Sequence, residues 1–241
     1  MDEPQPLTGL ASALGLGSHE HVAVVGGGGK TSVMFALSQQ LTGSLVVTCT
    51  TKMGHDQHHG RPVLLSPTVE EVVEASSVSP VVVWRRIAGH KALGVPSEWC
   101  DQWFERVDHV VIEADGSRRK PFKAPAEHEP VVPSSVTTMV SVIGADALGR
   151  VIADQCHRPL RVAALAGCSP YERLSPAYAA TVLLHERGAR RELPDRARFV
   201  VVLNKVNADS ALFVDELVAE IGDRSPSTVV VPMPFRPAAP E

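Results

Sequence analysis

One stretch constrains this chain more than any other: Val22-Ala-Val-Val-Gly-Gly-Gly-Gly-Lys-Thr-Ser32. A short apolar run ends in consecutive glycines, then a lysine and two hydroxyl residues, and the amphipathic segment from Val33 to Leu41 follows. The order reads as strand, tight turn, helix. Glycine reaches φ > 0 cheaply and lets a polyanion approach backbone N–H groups. The helix that follows adds unpaired N–H groups and the positive end of its dipole. Gly26, Gly27, Gly28, Gly29, Lys30, Thr31 and Ser32 are therefore the candidate nucleotide-binding residues, with Lys30 on the β- and γ-phosphates and Thr31 on Mg²⁺.

The spacing departs from G-x-x-x-x-G-K-[ST]. Counting back from Gly29 puts Val24 at the first glycine position, and starting from Gly26 leaves the loop two residues short. The competing reading is a glycine-rich turn without a ligand.

The rest of the chain alternates strands and helices. Strands are expected at Val22–Val25, Leu45–Thr48, Pro62–Leu65, Val81–Trp84, His109–Glu113, Thr137–Ile143, Arg198–Leu203 and Thr228–Val231. Helices are expected at about 7–16, 30–41, 68–75, 97–106, 175–187 and 210–221, with Thr68 and Ser97 as caps and Ser175 at the start of its helix. Arg85–Leu93 reads as a loop or hairpin. Trp99, Trp103 and Phe104 sit at helical spacing and read as core. Short connectors between alternating elements imply an α/β fold with a mostly parallel sheet flanked by helices. One domain is expected over residues 1–231, with an inserted loop at 117–133 and a helical elaboration at 150–196. Residues 1–6 are expected to fray. Residues 232–241, with four prolines, read as a disordered tail.

The second chemical landmark is His109-Val-Val-Ile-Glu-Ala-Asp-Gly116. Alternation puts Glu113 and Asp115 on one side of the strand end, where ligands collect in open parallel sheets. They are candidates for catalysis and, with Thr31, for holding Mg²⁺; Asp115 would hold a metal-bound water or act as base. The Gly116 N–H would meet the γ-phosphate. The alternative is an acidic strand end capping a turn. Arg118, Arg119, Lys120 and Lys123 then bring positive charge beside the acids and are substrate-side candidates, with Glu127 and His128 as acid–base groups. Thr51 and Lys52, after the second strand, are further candidates on the substrate side. Asn204-Lys205-Val206-Asn207 is similar to the guanine-reading N-K-x-D, so Asn204, Lys205 and Asn207 are base-contact candidates. Asn207 cannot supply two carboxylate acceptors, which leaves ATP and GTP both open. His55, His58 and His59 could hold a metal, although a solvated loop is the plainer reading.

A net charge of −4 argues against nucleic acid. No run approaches the roughly 18–20 apolar residues of a membrane span. The first residues lack the basic and apolar regions of a signal peptide. Cys49, Cys100, Cys156 and Cys168 stand alone, so a reduced, cytoplasmic setting is expected.

At Val24–Thr31, Thr48–Met53, Glu113–Pro130 and Leu203–Val206 the chain resembles the YqeC-like family of accessory proteins in selenium-dependent molybdenum hydroxylase maturation. The 113–130 stretch is the most specific, since nothing generic to phosphate loops requires it. The short glycine loop is then a family trait. The resemblance implies a P-loop NTPase-like three-layer sandwich, Mg²⁺-dependent binding and hydrolysis of ATP or GTP, and a molybdopterin-type cofactor or its enzyme as partner. A small-molecule kinase with an anionic acceptor, and a nucleotide-gated binding module, are the alternatives.

Overall fold

The structure is a computed structural model that describes residues 9–234. The expected fraying of residues 1–6 lies outside that span. In chain order the elements are α1 (Leu10–Ala13), β1 (Glu20–Gly26), α2 (Lys30–Leu37), β2 (Leu45–Cys49), β3 (Lys52–Gly54), β4 (Val63–Leu65), α3 (Val69–Val78), β5 (Val81–Trp84), β6 (Arg86–Ala88) and β7 (Lys91–Leu93). Then come α4 (Ser97–Phe104), β8 (His109–Glu113), β9 (Phe122–Lys123), β10 (Thr138–Gly144), α5 (Ile152–Gln155), β11 (Cys156–His157), α6 (Pro159–Ala166), α7 (Pro176–Leu184), β12 (Arg198–Val206), α8 (Ala211–Arg224) and β13 (Val229–Pro234).

An eight-stranded sheet in the order β13-β12-β10-β1-β8-β2-β5-β4 forms the middle layer. Every pairing in it is parallel. The chain starts at central β1, moves out to β2 and β4, returns through β5 and β8, and crosses β1 to β10. The order therefore reverses around β1, and a crevice opens at the carboxyl ends of β1, β8 and β10.

The middles of the strands are largely apolar because both faces are covered. On one face Val22, Val24, Val111, Val140 and Val142 pack with Val33, Met34 and Leu37 of α2. On the other, Ala23, Val25, Val110, Ile112 and Met139 pack with α3, α4, α7 and α8. The fold is a three-layer α/β arrangement. Trp103 and Phe104 are buried in the second core as expected, and Trp99 packs against it. Thr68 caps α3 in a reciprocal box with Glu71. Ser175 caps α7, whereas Ser97 lies inside α4 behind Pro96.

Three features depart from expectation. Lys52–Gly54 forms a strand, joining the Arg86–Leu93 hairpin in a small antiparallel sheet, β3-β7-β6. The 117–133 loop contributes β9, which pairs with β11. The last strand continues through Pro234, past the start of the expected tail; residues 235–241 lie outside the described span. Pro232 and Pro234 are tolerated because β13 is an edge strand. Among the described residues no helix is long and apolar enough to cross a membrane.

Candidate functional site: a glycine loop facing an acidic strand end

β1 delivers the glycines to the crevice. Gly28 has φ +78° and Gly29 φ +118°. A side chain at Gly28 would also overlap the backbone of Gly144, and one at Gly29 the Asn204 amide. The expectation was that glycine clears space for a ligand. The structure adds a second cause: neighbouring backbone lies against the loop. The Gly27 N–H donates to the Val142 carbonyl (2.8 Å) and the Gly28 N–H to that of Lys120 (3.1 Å). The Gly26 N–H donates to Asp115 Oδ2 (3.0 Å). The N–H groups of Gly29, Lys30, Thr31 and Ser32 have no protein acceptor among the described residues, and these are the orphan donors of the α2 amino end.

Lys30 is 4% exposed. Its Nζ lies 3.5 Å from Glu113 Oε1 and 3.3 Å from Asp115 Oδ1, and donates to the Gly26 carbonyl at 3.0 Å. Burial opposes its charge, but the carboxylates of Asp115 and Glu113 outweigh burial and hold its pKa above the ordinary lysine value. The Thr31 hydroxyl donates to Glu113 Oε2 at 3.0 Å. Lys30, Thr31, Glu113 and Asp115, separated by more than eighty residues in sequence, thus meet as expected.

Asp115 and Lys123 are drawn into buried ion pairs. Asp115 Oδ2 accepts from the Gly26 N–H and lies 3.0 Å from Lys123, while Oδ1 faces Lys30 at 3.3 Å and has no hydrogen-bond partner among the described residues. Lys123 is equally buried, at 3.0 Å from Asp115, 2.7 Å from Glu129 and 2.7 Å from the Gly116 carbonyl. Its donors are taken, so it is not among the groups free to meet a substrate. Arg158 closes the series with a two-pronged pair to Glu129, at 2.8 and 3.0 Å. The result is an alternating chain of charge: Glu113, Lys30, Asp115, Lys123, Glu129, Arg158. Burial opposes the Glu129 charge, but Arg158 and Lys123 pull its pKa down to about 2.

A cavity of about 480 Å³ opens over the loop. The Gly28–Ser32 segment and Glu113 line one side, Gly116–Arg119 another. Lys52 and Lys91 reach it from the small antiparallel sheet, and Lys205 from the end of β12. Arg118, Arg119 and Lys205 hold positive φ, at 49°, 61° and 62°. Left-handed backbone costs roughly 1–2 kcal/mol per non-glycine residue, and three of the seven described non-glycine residues that adopt it are cations lining this cavity.

The remaining candidates divide. Asn204 donates to the Gly28 carbonyl (2.8 Å) and accepts from the Lys205 N–H (2.9 Å). Lys205 lines the cavity and pairs with Asp146 (2.9 Å). Asn207 caps the following turn through Ser210 and does not line the cavity. Thr51 has a buried hydroxyl with no partner among the described residues. Lys120 donates to the Asp154 carbonyl at 2.5 Å. Glu127 and His128 are exposed and stand outside the cavity lining. His55 faces His90, His58 meets Trp84, and His59 lies on Phe35. Among the described residues no three His, Cys, Asp or Glu side chains are grouped to hold a metal.

Sequence reasoning missed Lys91, Glu129 and Arg158. Glu129 carried the one available signal, an acid six residues after Lys123 in a proline-rich loop.

The fold and site define a doubly covered parallel α/β protein with a glycine loop set against acids at the crevice. Residues 22–160 match the family model described as YqeC protein. The chain is also 33% identical over 208 residues to a protein of Escherichia coli (strain K12) described as uncharacterized protein YqeC, covering 82% of this chain and 80% of that one. The chain belongs to the YqeC family. No solved structure matches it.

Proposed function

We propose that this protein binds ATP or GTP with Mg²⁺ and hydrolyses it as a P-loop NTPase, in maturation or loading of a molybdenum- or selenium-type hydroxylase cofactor. The observation that carries the reading is the meeting of Lys30 and Thr31 with Glu113 beneath the cation-rimmed cavity. The client follows from the family resemblance alone.

The donor set fits the ligand. A triphosphate accepts from the free N–H groups of Gly29–Ser32 and from Lys30, while Lys52, Lys91, Arg118, Arg119 and Lys205 offset its charge. Thr31 and Glu113 would hold Mg²⁺, which binds through few protein oxygens plus phosphates rather than in an all-protein cage. Bound there, it would neutralise charge developing on the phosphates. Asp115 keeps Lys30 charged and fixes the Gly26 N–H.

Titration calorimetry tests this with the purified protein, Mg²⁺ and either nucleotide. Wild type should bind, and Lys30→Ala should lose affinity about a hundredfold, by removal of a charge-assisted donor of 1.5–3 kcal/mol. Equal binding by the variant would remove the proposal.

A further inference from the structure

Across the Gly116–Arg119 turn lies a second cavity, of about 600 Å³, which shares Gly116 and Arg118 with the first. We propose that it binds a small organic phosphate beside the nucleotide cleft. That the two ligands are handled together rests on the nucleotide reading above; the pocket itself rests on its own residues.

The charge is favourable to a dianion. Arg118, Lys120 and Arg158 line the cavity against one carboxylate, Glu129. Lys123, at 2.7 Å from behind, already matches that carboxylate. Arg158 is held by its fork to Glu129, which leaves its other N–H groups preorganised for a ligand. Its backbone is left-handed, φ 58°, as is that of Arg118 at the shared wall. His157 adds a ring that offers one donor and one acceptor: burial, then the positive charge of Arg158 and Lys123, lowers its pKa to about 4, so it is neutral near pH 7. A phosphate alone would fill little of the space, which is the size of an organic-ligand site. Cys156 and Pro159 supply apolar wall for the organic part.

The two cavities are joined in two ways. Arg118 belongs to both, and the alternating chain from Glu113 to Arg158 runs beneath the turn that divides them. A phosphate ester seated here would lie beside the nucleotide cleft, within reach of it as a second substrate.

Phenyl phosphate is the probe, titrated into wild-type protein by calorimetry with and without saturating Mg²⁺ and a non-hydrolysable ATP analogue. It should bind in both conditions. Lys120→Gln and Arg158→Lys should each weaken that binding tenfold or more and leave affinity for the analogue within twofold. Lys30→Ala should do the reverse, losing the analogue and keeping the ester. Benzoate and inorganic phosphate should bind at least tenfold more weakly than phenyl phosphate. The proposal is overturned if wild type does not bind the ester, if the analogue displaces it one for one, if Lys120→Gln leaves it unchanged, or if benzoate binds equally well. Each of these leaves the nucleotide reading standing. Failure of wild type to bind the analogue while it still binds the ester would sink the nucleotide reading instead.

Discussion

The two ends of the central strands bury polar groups to opposite effect. At the amino end of β1 and β10, Glu20 accepts from Thr137, Thr138 (3.1 Å) and Arg198 (2.9 Å). Beside it Asp101 accepts from the Ser135 N–H (2.9 Å) and hydroxyl (2.6 Å), and the Ser135 oxygen meets His21 Nδ1 at 2.8 Å. These charges are spent on one another and on backbone. At the carboxyl end the acids are also paired, but the α2 N–H groups and the cations Lys52, Lys91, Arg118 and Arg119 are left over, facing open space. Buried charge marks both ends; surplus donors mark one. Donors facing open space, and not buried polar atoms without a partner, separate the two ends, since His21 Nε2 at the closed end also lacks a partner among the described residues.

The strongest way to break this comparison is at Glu129. Removing it by Glu129→Ala leaves Lys123 and Arg158 without their shared carboxylate, and a buried pair broken on one side loses about 3–5 kcal/mol. Urea unfolding should show that loss. Gly28→Ala comes next, at about 2–4 kcal/mol, from overlap with Gly144 and the left-handed backbone together. Its unfolding midpoint should fall, and nucleotide affinity should fall with it. Asp101→Ala strips acceptors from Ser134 and Ser135 at the closed end and should cost about 1–3 kcal/mol. Nucleotide affinity should move less than twofold; a larger change would mean the two ends are not separable.

The smallest effect is on pH. Burial lowers the pKa of both His21 and His157 from 6.5 to about 4. The unfolded chain therefore takes up protons first as pH drops. The stability that neutral histidine contributes is whole above pH 6.5 and declines towards pH 4. Melting temperature should fall across that window, and His157→Gln should flatten part of the slope. Glu129 acts lower, its contribution present above about 4.5 and lost as pH falls towards 2.

Much of the frame was legible because local rules agreed with the tertiary outcome. The β1–α2 unit, the Thr68 cap and the Glu113 strand end each announce themselves within ten residues. Glu113 and Asp115 both lie against Lys30, but β8 ends at Glu113, so alternation accounts for the side of Glu113 and not for that of Asp115. The pairing of Asp115 with Lys123 was not legible, because a basic run disguises Lys123 as solvated loop. Lys91 was invisible because only the small antiparallel sheet carries it to the cavity. Arg158 gave no signal, since its partner lies 29 residues away across an irregular loop. The capping of the following turn by Asn207 was not read from the sequence, where the same amide fitted a base-contact pattern.

The glycine loop is pinned by Val142, Lys120 and Asn204, which come from three separate later parts of the chain. During synthesis the loop emerges near the start but gains its last clamp only when β12 has left the ribosome and joined the sheet. A nascent or truncated product lacking residues past 197 would carry the full Gly-Lys-Thr sequence and two of its clamps, but not the one that holds the Gly28 carbonyl.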